Sequence, residues 1–317
     1  MPDESVFRGG RLCVVGNICR DVKIAPIAPT ERLLQDGETP TNAIVETIGG
    51  GGANSALFAA ALGAEVCFAG KLGADALGER LKQALLERGV KPLVRHDAAT
   101  PTGSSVVLGY TSGCRHFISH QPNNDSLRDS DIDPALYAGG GHLLRADVWF
   151  SQPLLDGGNA RILRAAREQG MAISLDLNWD PYWGSAPEEV VRARKAAVRQ
   201  VLPLVDVVHG NIRELNLFAE STDLPDTLRL LTAWGAGAVL LHMGAQGAGY
   251  YADGELITEP AVPVERAAHA TGSGDLLSVC MMLLHGRGDI PVPDKLRLAN
   301  RVVADHIAGK REFLSPL

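Results

Sequence analysis

Short runs of β-branched and apolar residues alternate with helical patterns along most of the chain, and this order constrains the fold more than any other feature. The strand signals are RLCVVG (11–16), AEVCFAG (64–70), ADVWFS (146–151), MAISLDL (171–177), VDVVHG (205–210) and AGAVLLHMG (236–244). Between them, residues 53–62 are Ala-rich, 75–88 set Leu at helical spacing among charges, and 158–169, 187–201 and 224–234 repeat the theme. Strand, helix, strand in strict succession predicts a parallel sheet covered on both faces. A chain of 317 residues, 45% hydrophobic, can fill such a core.

Two stretches break the alternation. Residues 20–48 carry Pro26, Pro29 and Pro40 before AIVETI, and 102–120 read as TGSSVVLGY and RHFISH joined by the turn-like TSG. They predict a small antiparallel sheet outside the main layers, a lid made from insertions 20–48 and 101–120 on a single domain spanning 1–317. No internal repeat or low-complexity tract interrupts it.

The net charge is −7, from 30 Lys and Arg against 37 Asp and Glu, which argues against nucleic acid or an anionic membrane as partner. No apolar run approaches the ~20 residues of a membrane span, and the first residues lack the pattern of an export signal. Cys13, Cys19, Cys67, Cys114 and Cys280 are scattered, with neither disulfide nor zinc spacing, which fits a reducing cytoplasm.

The stretch ATGSGDLLSVCMMLLHG (270–286) sets Gly272, Ser273, Gly274 and Asp275 before a nearly all-apolar helix. Such a helix is surrounded by protein, so its N-terminus is the part able to face a cleft. Unpaired amides, the positive end of the macrodipole and two glycines make an anion site there, and Asp275 beside it suits proton abstraction from an attacking hydroxyl. A plain flexible helix opening explains the same residues equally simply.

ATGSGD with its apolar helix resembles the second signature of the ribokinase-like (PfkB) carbohydrate kinases, and IGGGGANSALFAAALGAEVCFAGKLGADALGERL (48–81) resembles the first. CVVGNICRD, TPTGSSVVL, DLNWDPYW, NIREL, LHMGAQGAGYY and LAN follow in family order, so the resemblance spans nearly the whole chain. It implies a three-layer α/β/α fold, ATP as phosphoryl donor and Mg2+ as cofactor. It implies Asp275 as catalytic base, with the amides of Gly272, Ser273 and Gly274 as the hole for the transferring phosphoryl group. Asp21, Gly50, Gly51 and Asn54 would bind substrate, and Asn54 could instead cap the Ala-rich helix. Asn211 and Glu214 would organise magnesium through water, although Asn followed by Glu is also a helix cap. Gly244, Gly247, Thr271 and Asn300 would contact the nucleotide, with segment 262–268 beside adenine; the turn at 244–247 could equally be a plain hairpin.

Departures from the family pattern narrow the substrate. Gly51 stands at the usual Lys, Cys19 at the usual Asn, and Asp180 where relatives acting on acidic sugars place Arg, which points to an uncharged acceptor. His269 replaces an Asp that helps hold a monovalent ion, so dependence on such an ion is not expected. The reading is a kinase for a hydroxymethyl group of a neutral sugar, dimeric through its lid. A nucleoside kinase, with Phe117 or Tyr110 stacking a base unless core packing explains them, and a non-catalytic sugar-binding protein are the alternatives.

Overall fold

The computed structural model of the chain describes residues 4–112, 114–265, 271–311 and 313–317, apart from the side chains of residues 32 and 34. Its strands are β1 (Arg11–Val15), β2 (Cys19–Ile27), β3 (Ile44–Gly49), β4 (Glu65–Ala69), β5 (Lys71–Gly73), β6 (Val90–Pro92), β7 (Arg95–Asp97), β8 (Ser104–Tyr110), β9 (Arg115–His120), β10 (His142–Arg145), β11 (Ala172–Asp176), β12 (Val207–Asn211), β13 (Ala238–His242), β14 (Ala248–Ala252) and β15 (Glu255–Glu259). The helices are α1 (Gly51–Ala61), α2 (Ala76–Glu87), α3 (Pro122–Asp125), α4 (Asn159–Glu168), α5 (Glu188–Arg199), α6 (Ile212–Ala219), α7 (Leu224–Ala233), α8 (Ser273–Leu283) and α9 (Val292–Ile307).

Nine strands form the main sheet in the order β15-β14-β13-β12-β11-β10-β1-β4-β6, parallel from β13 to β6 and antiparallel across β14 and β15. Apolar groups of α1, α2, α8 and α9 pack on one face, and those of α4 to α7 on the other. The sheet is therefore the middle of three layers. The expected strand at 146–151 is a correction: the strand is β10, and 146–151 turn away after it. His142 and Arg145 hid it, because both are buried and paired, His142 Nε2 with Ser174 Oγ at 2.8 Å and Arg145 Nε with Asn159 Oδ1 at 2.7 Å.

β1 is followed by strands on both of its sides in space, so the chain reverses direction of winding between β1 and β10. Open α/β sheets bind ligands in the crevice at the carboxyl ends of strands at such a point.

The second sheet has the order β3-β2-β8-β9, with antiparallel pairs outside and a parallel pair, β2 and β8, between them. Its register puts two rows on one face: Ser119, Ser105, Asp21, Thr47, and one step out Phe117, Val107, Lys23, Val45. Among the described residues no helix is long and apolar enough to cross a membrane, and all five cysteines are free thiols.

Candidate active site

Gly272 caps α8 with φ 77°, a left-handed conformation natural to glycine, and a Cβ there would lie 2.8 Å from the Phe58 ring. The amides of Ser273, Gly274 and Asp275 donate to no group among the described residues. Those donors, at the positive end of α8, are open to an anion. Residues 276–283 are all buried, as expected for a helix with no polar face.

The other glycine run is used differently. Gly51 and Gly52 open α1, but their amides donate to Asp147 Oδ1 and Oδ2 at 3.2 and 2.8 Å, and Asn17 N donates to Asp147 Oδ2 at 2.8 Å. A Cβ on Gly50 would lie 2.4 Å from Asn17 O, and one on Gly51 2.7 Å from Asp147 Oδ1. At the Cβ positions of these glycines other protein atoms approach closely. Asn54 sits inside the first turn of α1, not at its cap, which is Gly50. Its side-chain oxygen is buried without a partner among the described residues and is therefore available to an acceptor hydroxyl.

Asp275 lies in the first turn of α8, its carboxyl pushed up to about 7 by burial and by the like charges of Asp147 and Glu214, with Arg115 opposing. Asp176, at the end of β11, is raised well above the usual carboxylate range by burial and by Asp275, Glu214 and Asp147. Burial also raises Asp147 and Glu214. Asp176 and Asp275 thus both feel the charges of Asp147 and Glu214. Asp147 and Asp176 were not singled out from the sequence. The signal was an acid at the carboxyl end of a parallel strand, or just beyond it inside an apolar run.

Asp21 projects from β2 and is almost fully buried. Burial raises it, while Lys23 and the thiol of Cys19, donating at 3.6 Å, oppose the rise. From β9, Arg115 Nη1 donates to Thr271 Oγ1 at 2.5 Å, one residue before Gly272. This contact brings the second sheet onto the tip of α8. Beneath the sheet is a cavity of about 430 Å3 bordered by Lys23, Val45, Val107, Arg115, Thr271 and Leu314. Phe117 is 50% exposed, so core packing does not account for it.

A second cavity, of about 130 Å3, is bordered by His242, Gly244, Gly247, Val262, Gly274 and Asn300. The turn after β13 is both things the sequence allowed, a tight connection to antiparallel β14 and a cavity wall. Gly247, at φ 105°, would push a Cβ to 2.1 Å from Glu259 O. Asn300 Nδ2 donates to Glu259 O and Pro260 O, both at 3.0 Å, so the amide holds the wall in place. Asn211 and Glu214 form a reciprocal capping box at 2.9 Å, as the residues alone implied, through Glu214 Oε2; among the described residues none donates a hydrogen bond to Oε1. His269 and residues 266–268 of the expected adenine segment lie outside the described residues.

The family model described as "pfkB family carbohydrate kinase" matches residues 10–281. A ribokinase from Arabidopsis thaliana is 26% identical over 83% of this chain and 67% of its own length. A cytidine kinase from Thermococcus kodakarensis is 26% identical over 90% and 92%. Among solved structures, a putative ribokinase II from E. coli in complex with ATP and Mg2+ superposes with TM-score 0.78 at 20% identity, covering 96% of this chain and 94% of the other. Because the family model takes in most of the chain, the chain belongs to the pfkB family of carbohydrate kinases.

Proposed function

We propose that this enzyme transfers the γ-phosphoryl group of ATP to a hydroxymethyl group of a neutral sugar, with Asp275 as general base. The observation that carries the reading is Asp275 beside three open amides, with a carboxyl raised to about 7. A base with that affinity is ionised near neutral pH yet holds a proton strongly enough to take one from an alcohol. As the acceptor oxygen bonds to phosphorus, its proton passes to Asp275 and the bond to ADP breaks; the amides of Gly272, Ser273 and Gly274 receive the charge on the transferring group. Asp21 and the unpartnered oxygen of Asn54 orient the acceptor hydroxyls.

The second sheet acts as a lid on a single domain, closing through Arg115 and Thr271 to exclude water. Gly244 and Gly247 let the phosphates approach, and Thr271 and Asn300 hold the walls around the nucleotide. Mg2+ fits the donor set, because Asp176, Glu214 and Asp275 are acids raised by burial and, for Asp176 and Asp275, by the charge of Glu214, and carboxylate oxygens suit a hard ion. Among the described residues no three side chains form a metal cage, so Glu214 Oε1, with Asn211 beside it, would hold the ion through water. When bound it supplies positive charge to the phosphates. The enzyme is placed in the cytoplasm, as a homodimer through the lid, where the β9 edge is exposed along its whole length.

A nucleoside acceptor is the second reading, favoured by half-exposed Phe117 on the cavity face of the lid, where a base could stack. A coupled ADP-release screen over neutral sugars and nucleosides tests both. Turnover with a neutral sugar, strongly reduced in Asp275→Asn, is the expected result; a preference for nucleosides selects the second reading, and no turnover with any acceptor overturns both.

A further inference from the structure

Under α8 the main sheet carries a row of buried polar groups that phosphoryl transfer leaves unused. His242 Nε2 lies 2.8 Å from Ser278 Oγ, and the same oxygen lies 2.9 Å from His209 Nδ1. His209 Nδ1 is also 3.6 Å from Asp176 Oδ1. At the other end, the His242 ring borders the cavity beside the α8 tip, where a Cβ on Gly274 would lie 2.8 Å from Nδ1. Two hydrogen bonds and one longer contact therefore run in series from Asp176 to the anion site.

Burial lowers His242 to about 4, so its ring is neutral, and His209 is enclosed beside it. A serine hydroxyl has one hydrogen, so it accepts from one ring and donates to the other. If His242 donated from Nε2, Ser278 would donate to His209 Nδ1. The His209 Nε2–H would then be a buried donor without a partner, and His242 would aim a bare lone pair at the anion site. In the opposite arrangement His209 holds its proton at Nδ1, on the side of Asp176, and Ser278 donates to His242 Nε2. The unpartnered His209 Nε2 is then an acceptor, and orphaned acceptors are tolerated better than orphaned N–H groups.

We propose that Ser278 and His209 are positioning residues that fix His242 in the tautomer protonated at Nδ1, so that His242 donates a hydrogen bond to a phosphate oxygen of the bound nucleotide. The inference rests on the kinase reading for the identity of the anion and adds a side-chain donor to the backbone amides. It also links Asp176 to the phosphate site through three consecutive contacts.

Nitrogen-15 NMR of histidine-labelled wild-type protein reads the tautomer directly. A proton on His242 Nδ1, with its resonance displaced by Mg·ADP, is expected; a proton on Nε2 overturns the proposal. In kinetics, Ser278→Ala should raise KM for ATP about tenfold, the worth of one hydrogen bond to a charged group, and leave KM for the acceptor in place. The same change in a His242→Asn background, where the amide brings its own N–H, should cause no further rise. An equal loss in both backgrounds would mean that Ser278 acts only in packing, and would overturn the proposal. A protein that turns over no acceptor defeats the kinase reading, while the tautomer measurement still decides this one.

Discussion

The chain has two glycine-rich helix openings, at α1 and at α8, and only one of them is vacant. Asp147 fills the first, taking the amides of Gly51 and Gly52. At the second, the amides of Ser273, Gly274 and Asp275 meet no described acceptor, and the nearest acid lies within the same helical turn, where it can act on what binds. Similar composition thus serves opposite ends: one helix dipole is neutralised to hold the architecture, and the other is kept open for chemistry. Glycine marks close approach in both, but the identity of what approaches is a tertiary fact.

The sharpest test of this contrast is Asp275→Asn, which should leave nucleotide binding in place and lower kcat by ~10² to 10⁴. In the wild type, log kcat/KM should rise with pH as Asp275 ionises and level off above about 7; that limb should vanish in Asp275→Asn. A profile already flat between pH 5 and 8 would show that Asp275 is not the titrating base.

Gly274→Ala and Gly51→Ala should separate the two openings. The first pushes a Cβ toward His242 at the vacant tip and should cost about tenfold to a hundredfold in kcat/KM for ATP. The second collides with Asp147 and should instead cost about 1–3 kcal/mol of stability in urea unfolding. Equal kinetic defects in the two would dissolve the distinction. Asp147→Asn, which sets an amide against backbone donors, should destabilise by about 1–3 kcal/mol.

The smallest effect is thermal. Asp275 binds its proton more tightly when folded, near 7, than in the unfolded chain, where it takes the ordinary carboxylate value of 3.8. The folded state therefore loses stability as pH rises from about 4 through about 7. A permanently neutral Asn escapes that loss, so Asp275→Asn should melt a few degrees above wild type at pH 8 and gain nothing at pH 4, at about 2–4 °C per kcal/mol.

Much of the main sheet was legible because its buried parallel strands are continuous apolar runs, β1, β4 and β13 among them. Helix α2 was legible from its spacing, and the structure adds its cap, Asp75, which accepts from Gly78 N at 2.7 Å. Strand β10 was not, because a buried His and Arg look like surface residues until their partners are known. The parallel pairing of β2 with β8 joins residues about eighty positions apart and leaves no local trace. At the site, Asp275 and Asp21 stood out through the signatures. Asp147 did not, since its value lies in a left-handed backbone at φ 54° that turns it from an apolar run toward three distant amides.

That carboxylate also bears on how the molecule assembles. Its bonds reach Asn17, Gly51, Gly52 and Asn178, segments separated from it by 31 to 130 residues. No fragment ending before residue 147 can complete the crevice, so a nascent chain has to wait for this knot before its pocket acquires a shape.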